Sequence, residues 1–195
     1  VAYTDDALLH AGPAAAGMGI CAVSLKTPGA RDRLAPQDGL YTLIEKSPEG
    51  VRRRVLGSLV EVRFLGAERH EVHARLAAKE TAIVSLTITE KGYGHDPATG
   101  ALNPAHPEIA PDLADPAHPG SAVGLIVAAL DARRLAHGTP FTVLCCDNLP
   151  HNGKLVRGLV LEFARRRDEA LAHWIDRHVT FPSTMVDRIV PATTD

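Results

Sequence analysis

The sequence of 195 residues has little cysteine, no strong excess of charge and no long apolar run. Its three cysteines, Cys21, Cys145 and Cys146, form no CxxC pair, which argues against a disulfide framework and favours a reduced, cytoplasmic protein. No apolar run reaches the roughly 18 residues of a membrane helix, and no signal-peptide pattern is visible. The sequence therefore predicts a protein without a membrane partner.

The charges of the chain nearly balance, with 21 basic and 23 acidic residues and a formal net charge of -2. This balance gives no electrostatic basis for binding nucleic acid or an anionic membrane. The arginine clusters at 52–54 and 165–167 have acidic neighbours and are interpreted as solvated faces. Length and composition are those of one sizeable globular domain.

Apolar runs and helical spacings alternate along the chain. The expected strands are 18–25, 81–89 and 141–146, and the expected helices are 67–80, 121–138 and 153–178. The runs 40–45 and 51–65 flank the turn sequence KSPEG and predict an inserted β-hairpin. Strands that alternate with helices and are apolar throughout predict an α/β fold, with a mostly parallel sheet and helices on both faces.

Polar residues follow two of the expected strands directly. Asp147 and Asn148 follow one strand, and Glu90 and Lys91 follow another. Because ligands bind at the carboxyl ends of parallel strands, we expect these residues at the same edge of one sheet. Two interpretations of Asp147 and Asn148 are open. One of the two side chains could cap the next helix. Alternatively, Asn148 donates its amide N–H to a substrate oxygen.

Several motif matches fail on closer reading. GMGICA (17–22) fits G-x-G-x-x-A, but its glycines precede a strand, whereas a dinucleotide fingerprint follows one. HNGKL lacks the earlier Gly and the Ser or Thr of a P-loop. His70 and His73 share a helix without an obvious third ligand, so no metal site is expected. Cys145 and Cys146 lack the base and electropositive setting of a catalytic thiol.

Five blocks of the sequence together resemble the mannitol dehydrogenase family of long-chain polyol and hexuronate dehydrogenases. They are YTDDAL, QDGLYTLIE, SLTITEKGY, CDNLPHNG and FPSTMVDRIVP, in the family's order from end to end. The resemblance implies a Rossmann-like N-terminal domain, a nicotinamide cofactor and no metal. It also implies hydride transfer between a secondary alcohol and its ketone, with a small polyol or sugar acid of the mannitol/fructose or mannonate/fructuronate type as substrate.

The resemblance implies roles for single residues. Asn148 matches a family asparagine that helps to hold the reacting oxygen, and Asp187 matches an acid near the catalytic centre. The block TEKGY matches a strand end close to the cofactor. The residues of the two strand ends that we expect to bind the cofactor are Thr89, Glu90, Lys91 and Asp147.

NAD is the expected cofactor, and NADP stays open. An acid after the second strand of such a domain usually binds the adenosine ribose of NAD. Here CAVSL is followed by Lys26 and Arg31 with no acid before Asp32, so either cation could accommodate a 2′-phosphate. Lys26 is therefore interpreted as a cofactor-binding residue. NAD remains the first candidate and NADP the second, because the family leans to NAD.

Two departures from the family pattern concern the domains. The family's first strand and Gly-rich loop precede the block that matches YTDDAL, and its catalytic Lys lies on a helical C-terminal domain. We find neither in residues 1–195, which predicts a partial dinucleotide-binding domain that is inactive alone because it lacks the general base. The alternative is a non-catalytic, truncated Rossmann-like module that binds a partner or dimerises. The sequence predicts no oligomeric state.

Overall fold

The computed structural model describes residues 4, 7–8, 10–15 and 17–185, and the chain divides into two compact units, Val1–Val72 and His73–Asp195. The strands are β1 (Ile20–Ser24), β2 (Tyr41–Ser47), β3 (Gly50–Leu56), β4 (Leu59–Phe64), β5 (Ile83–Leu86) and β6 (Thr142–Cys145). The α-helices are α1 (Gly29–Leu34), α2 (Arg69–Ala77), α3 (Ile109–Ala114), α4 (Ala122–Ala136), α5 (Asn152–Arg167) and α6 (Glu169–His178). Short 3-10 helices occur at Gly12–Ala15, Ala35–Gln37 and Glu90–Tyr93.

The first unit contains a parallel pair and a hairpin. β1 pairs in parallel with β4, and β2 pairs antiparallel with β3 across the expected turn, which confirms the predicted hairpin. The run 51–65 was expected as one strand, and this was wrong. Gly57 and Ser58 interrupt it, and the carbonyl of Ser58 accepts the N–H of Ile20 at 2.7 Å, so the chain leaves the hairpin there and joins β1.

The second unit contains the parallel pair of β5 and β6, with Ile83 opposite Thr142 and Leu86 opposite Cys145. The chain after α6 runs beside β6, where the N–H of Val143 donates to the carbonyl of Thr180 at 3.0 Å. Helices α4, α5 and α6 contribute most of the buried apolar side chains. Parallel strands covered by helices confirm the predicted α/β architecture.

Helix α4 starts where the sequence predicts, because its N-cap is satisfied twice. The Ser121 hydroxyl accepts the N–H of Gly124 at 3.0 Å, as expected for an N-cap serine. The buried Asp112 carboxylate accepts the N–H of Gly120 and the N–H and hydroxyl of Ser121, at 2.8, 2.8 and 2.5 Å. This carboxylate fixes the Pro-rich stretch before α4 to the start of the helix.

The long helical pattern 153–178 forms two helices instead of one. Asp168 adopts an extended backbone (φ -161°, ψ 119°) between α5 and α6, and its side chain accepts the N–H of Ala170 at 2.9 Å. This hydrogen bond, together with Arg134, lowers the pKa of the Asp168 carboxyl. The single-helix prediction overlooked this aspartate as an N-cap. Within the described part of the chain, no helix is long and apolar enough to cross a membrane.

Candidate functional site

The carboxyl ends of β5 and β6 form one edge of the second unit. Cys146, directly after β6, donates its N–H to the carbonyl of Leu86, the last residue of β5, at 2.8 Å. The TEKGY segment (89–93) and the CDNLP segment (146–150) therefore leave the sheet side by side. This is the arrangement expected from parallel strands, and ligands bind at such edges in open α/β sheets.

The carboxylate of Asp147 joins the two strand ends. Its Oδ2 accepts the N–H of Ile88 at 3.0 Å and the hydroxyl of Tyr93 at 2.6 Å, and its Oδ1 accepts the N–H of Thr89 at 3.3 Å. Both oxygens are thus engaged with groups of the β5 side. A carboxylate that accepts backbone N–H groups from a neighbouring segment holds that segment in place.

Tyr93 is the buried end of this arrangement. Its side chain is fully buried, and its oxygen lies 3.0 Å from the sulfur of Cys145. Burial raises the pKa of the Tyr93 hydroxyl, and the Asp147 carboxylate raises that pKa further. Because Tyr93 gives its one hydrogen to Asp147, the Cys145 thiol is the donor of the second contact. Cys145 therefore serves packing and hydrogen bonding within the core.

Thr89 adopts a strained backbone at this edge. Its φ of 67° and ψ of 158° lie in a region that is essentially reserved for glycine, and a β-branched side chain makes the conformation still less favourable. Its N–H donates to Asp147, and its carbonyl accepts the N–H of Gly92 at 3.1 Å. Strain of this kind concentrates at functional sites.

The remaining side chains of the edge face solvent. Glu90, Lys91 and Asn148 are exposed, and Asn148 has no hydrogen-bond partner within the described ranges. The helix-cap alternative for Asp147 and Asn148 is wrong, because the N-cap of α5 is His151, whose side chain makes no capping bond. The exposed amide of Asn148 is therefore available to a ligand.

Asn152 and Gly153 bring a third segment to the same edge. The Asn152 side-chain amide donates to the carbonyls of Asp147 and Thr184, at 3.1 and 3.0 Å, and its oxygen accepts the N–H of Thr184 at 3.0 Å. A Cβ on Gly153 would overlap the carbonyl oxygen of Phe181, so only glycine permits this approach. The HNG sequence (151–153) thus fixes the FPST segment (181–184), whose Thr184 hydroxyl also donates to the carbonyl of Cys145 at the end of β6, at 2.6 Å.

Two further residues were predicted to belong to the site. Lys26 is an exposed residue of the first unit that follows β1, and Asp187 lies outside the described residues. Arg31, the other candidate for a 2′-phosphate, contacts the carboxylates of Asp32 and Glu68, at 2.6 and 3.7 Å. No cluster of three or more His, Cys, Asp or Glu side chains that could hold a metal occurs in the described ranges.

Sequence reasoning missed three residues of this edge, which are Tyr93, Asn152 and Thr184. Tyr93 and Asn152 lie inside blocks that carried the resemblance, but their neighbours received the roles. Each acts through a partner more than 30 positions away, with separations of 54 and 32 residues for the Tyr93–Asp147 and Asn152–Thr184 contacts. A buried tyrosine and the dipeptide Asn-Gly gave no local signal for such contacts.

Comparisons with known proteins extend these observations. Residues 3–195 match the family model described as the mannitol dehydrogenase Rossmann domain. The mannitol 2-dehydrogenase of Cereibacter sphaeroides is 48% identical over 163 residues, which cover 84% of this chain and 34% of that protein. The D-mannonate oxidoreductase of Escherichia coli K12 is 45% identical over 180 residues, which cover 90% of this chain and 37% of that protein. The chain thus spans little more than a third of these relatives.

Two solved structures share the fold. The mannitol 2-dehydrogenase of Pseudomonas fluorescens, in a ternary complex with NAD and D-mannitol, matches with a TM-score of 0.91 and 43% identity over 99% of this chain and 40% of its own. A D-sorbitol dehydrogenase in substrate-free form matches with a TM-score of 0.85 and 38% identity over 90% of this chain and 37% of its own. These likenesses confirm the predicted Rossmann-like fold.

Proposed function

The chain belongs to the mannitol dehydrogenase family, and from this premise we propose that it is the cofactor-binding portion of an NAD(P)-dependent dehydrogenase. The proposed reaction interconverts a polyol or a sugar acid with its ketose or keto acid by hydride transfer. The observation that carries the proposal is the family match over residues 3–195, which includes both segments of the strand edge.

The edge of the second unit fits a nicotinamide cofactor. Its parallel strands end side by side, and the exposed Thr89, Glu90 and Lys91 would line the cofactor where they follow β5. NAD is the proposed cofactor, supported by the NAD complex of the Pseudomonas fluorescens relative. In the first unit Lys26 follows β1 where an acid would favour NAD, so NADP is the second candidate.

The chemistry divides between the cofactor and the side chains. When bound, the nicotinamide would accept or deliver the hydride. Asn148 would donate its amide N–H to the reacting oxygen and stabilise the charge that develops there, and Asp187 is proposed to lie near the same centre. The general base of the proposed reaction is the lysine that the family pattern places on a C-terminal domain.

We further propose that the complete enzyme contains segments beyond residues 1–195. These are a first strand with a Gly-rich loop and a helical catalytic domain, in keeping with relatives of which this chain covers little more than a third. Residues 1–195 alone are proposed to be inactive. A reducing, cytoplasmic setting is proposed because the three cysteines form no disulfide.

The test is a substrate panel with the full-length protein. Mannitol, arabinitol, fructose and fructuronate are each assayed with the NAD and the NADP couple, by nicotinamide absorbance. We expect turnover with at least one pair, a loss of kcat of about 100-fold or more in Asn148→Ala, and no turnover by residues 1–195 alone. The variant Asn103→Ala is the matched control and should keep its activity, because the side-chain oxygen of Asn103 accepts the N–H of Ala105 within its own loop, at 3.0 Å.

Two outcomes would contradict the proposal. Turnover by residues 1–195 alone would show that no further domain is needed. A full-length protein that folds but reduces or oxidises no substrate with either cofactor would favour the alternative, a non-catalytic module. Sedimentation of that protein would then show whether the module dimerises.

A further inference from the structure

We propose that Asp147 is a positioning residue, held by Tyr93, that fixes the strained turn at Thr89 and the corner at Asn148 and does not itself bind the cofactor. The inference rests on the proposed dehydrogenase function, because Thr89 and Asn148 are the residues that would meet cofactor and substrate. It gives Asp147 a different role from cofactor binding, which the sequence analysis expected for the residues of the two strand ends.

The hydrogen bonds of Asp147 leave little capacity for a ligand. Its carboxylate accepts from Ile88, Thr89 and Tyr93, which uses three of about four acceptor positions. Two of these donors are consecutive backbone N–H groups, so the carboxylate grips the main chain directly after β5. A cofactor hydroxyl or amide could use only the one acceptor position that remains.

Tyr93 has no route to a ligand. Its side chain is fully buried, and its hydroxyl lies between the Asp147 carboxylate and the Cys145 sulfur. The 2.6 Å hydrogen bond from Tyr93 orients the carboxylate from the core side, while the backbone N–H groups orient it from the loop side. A buried hydroxyl aimed at a carboxylate acts only through that carboxylate.

The hydrogen bonds of Asp147 constrain both Thr89 and Asn148. The backbone of Thr89 has a conformation that threonine avoids, and its N–H is hydrogen-bonded to Asp147. Loss of the Asp147 carboxylate would therefore let this turn relax. Asn148 follows Asp147 directly, and the Asp147 carbonyl accepts the N–H of Leu149 and the amide of Asn152, at 2.9 and 3.1 Å. Side chain and main chain of Asp147 together set where Asn148 points.

The experiment uses Asp147→Asn and Tyr93→Phe in the full-length protein, with Asp115→Asn as the control. Asp115 is an exposed carboxylate bonded to His118, away from the strand edge. Three quantities are measured: kcat at saturating cofactor, the Kd of the reduced cofactor from protein fluorescence without substrate, and amide exchange at residues 88 and 89.

For Asp147→Asn we expect kcat to fall by about tenfold or more, since small misplacements of reacting groups are costly, with faster exchange at Ile88 and Thr89. The cofactor Kd should rise by a smaller factor than kcat falls, because no direct ligand contact is removed and only the turn at Thr89 relaxes. Tyr93→Phe, which keeps the carboxylate, should show smaller changes in the same directions. Asp115→Asn should match the wild type.

Each contrary result has a definite meaning. A cofactor Kd raised about tenfold with kcat unchanged would make Asp147 a cofactor ligand and overturn the inference. Unchanged amide exchange at residues 88 and 89 in Asp147→Asn would show that the carboxylate does not hold the backbone there. A wild-type protein without turnover would overturn the proposed function and the positioning role. Amide exchange at residues 88 and 89 would still show whether Asp147 holds the backbone there. If Asp147→Asn does not fold, Tyr93→Phe decides both.

Discussion

Thr89 shows how one residue can store strain at the strand edge. Its backbone lies in the region at φ 67° and ψ 158°, which costs a threonine on the order of 1–3 kcal/mol. Glycine adopts this conformation without strain. It also raises the entropy of the unfolded chain, which reduces the gain in folding free energy by up to about 1 kcal/mol. The balance of these effects favours glycine in the folded protein.

We therefore predict that Thr89→Gly raises the free energy of unfolding of residues 1–195 by about 1 kcal/mol, measured by urea denaturation. The control is Thr87→Gly, an exposed position without positive φ, which should lower that free energy by up to about 1 kcal/mol. Equal losses in both variants would show that Thr89 is not strained.

At the scale of elements, the two interior glycines of α5 have opposite effects. A Cβ at Gly153 would overlap the Phe181 carbonyl oxygen and lie 2.7 Å from the Pro182 carbonyl carbon, so the FPST segment would have to move. A Cβ at Gly158 would meet nothing within 4 Å. One glycine thus serves close approach of a second segment, whereas the other only weakens the helix.

Alanine scanning of this helix tests that difference. Gly153→Ala should lower the free energy of unfolding by about 2 kcal/mol, because backbone atoms cannot give way as a flexible side chain can. Gly158→Ala should raise it by about 1 kcal/mol through helix propensity. Thermal and urea unfolding of both variants provide the measurement, and a gain in stability from Gly153→Ala would contradict the assigned packing.

Most elements were readable from the sequence because each buries an apolar run or stripe of its own. The errors occurred where one residue decides a boundary. Gly57 divides a long β-like run, and Asp168 divides a long helical pattern with its capping carboxylate. The edge itself was predictable, since parallel strands place Asn148 beside the TEKGY segment. The support from Tyr93 and Asn152 was not, because it depends on contacts that only the folded chain creates.

At the scale of the whole chain, apolar burial is uneven. Among the described residues, the buried apolar side chains of the first unit are Leu56, Leu59, Val62, Leu65 and Val72, and the many others belong to the second unit. Large exposed apolar side chains are concentrated in the first unit, for example Ile44, Val55 and Val60, at 49%, 60% and 67% exposure. Regions with few buried apolar contacts open locally at low free energy.

Hydrogen exchange should therefore distinguish the units. In residues 1–195 we expect the amides of β1 and β4 to exchange markedly faster than those of β6 and α4, although all four are hydrogen-bonded. Equal protection in the two units would contradict this expectation.

The experiment also bears on the proposed first strand. Among the described strands β1 pairs with β4 alone, so in a full-length protein that supplies a further parallel strand, exchange in β1 should slow more than exchange in α4. A full-length protein whose β1 amides exchange as fast as those of residues 1–195 would show that this edge gains no strand, and the proposed domain organisation would then be wrong.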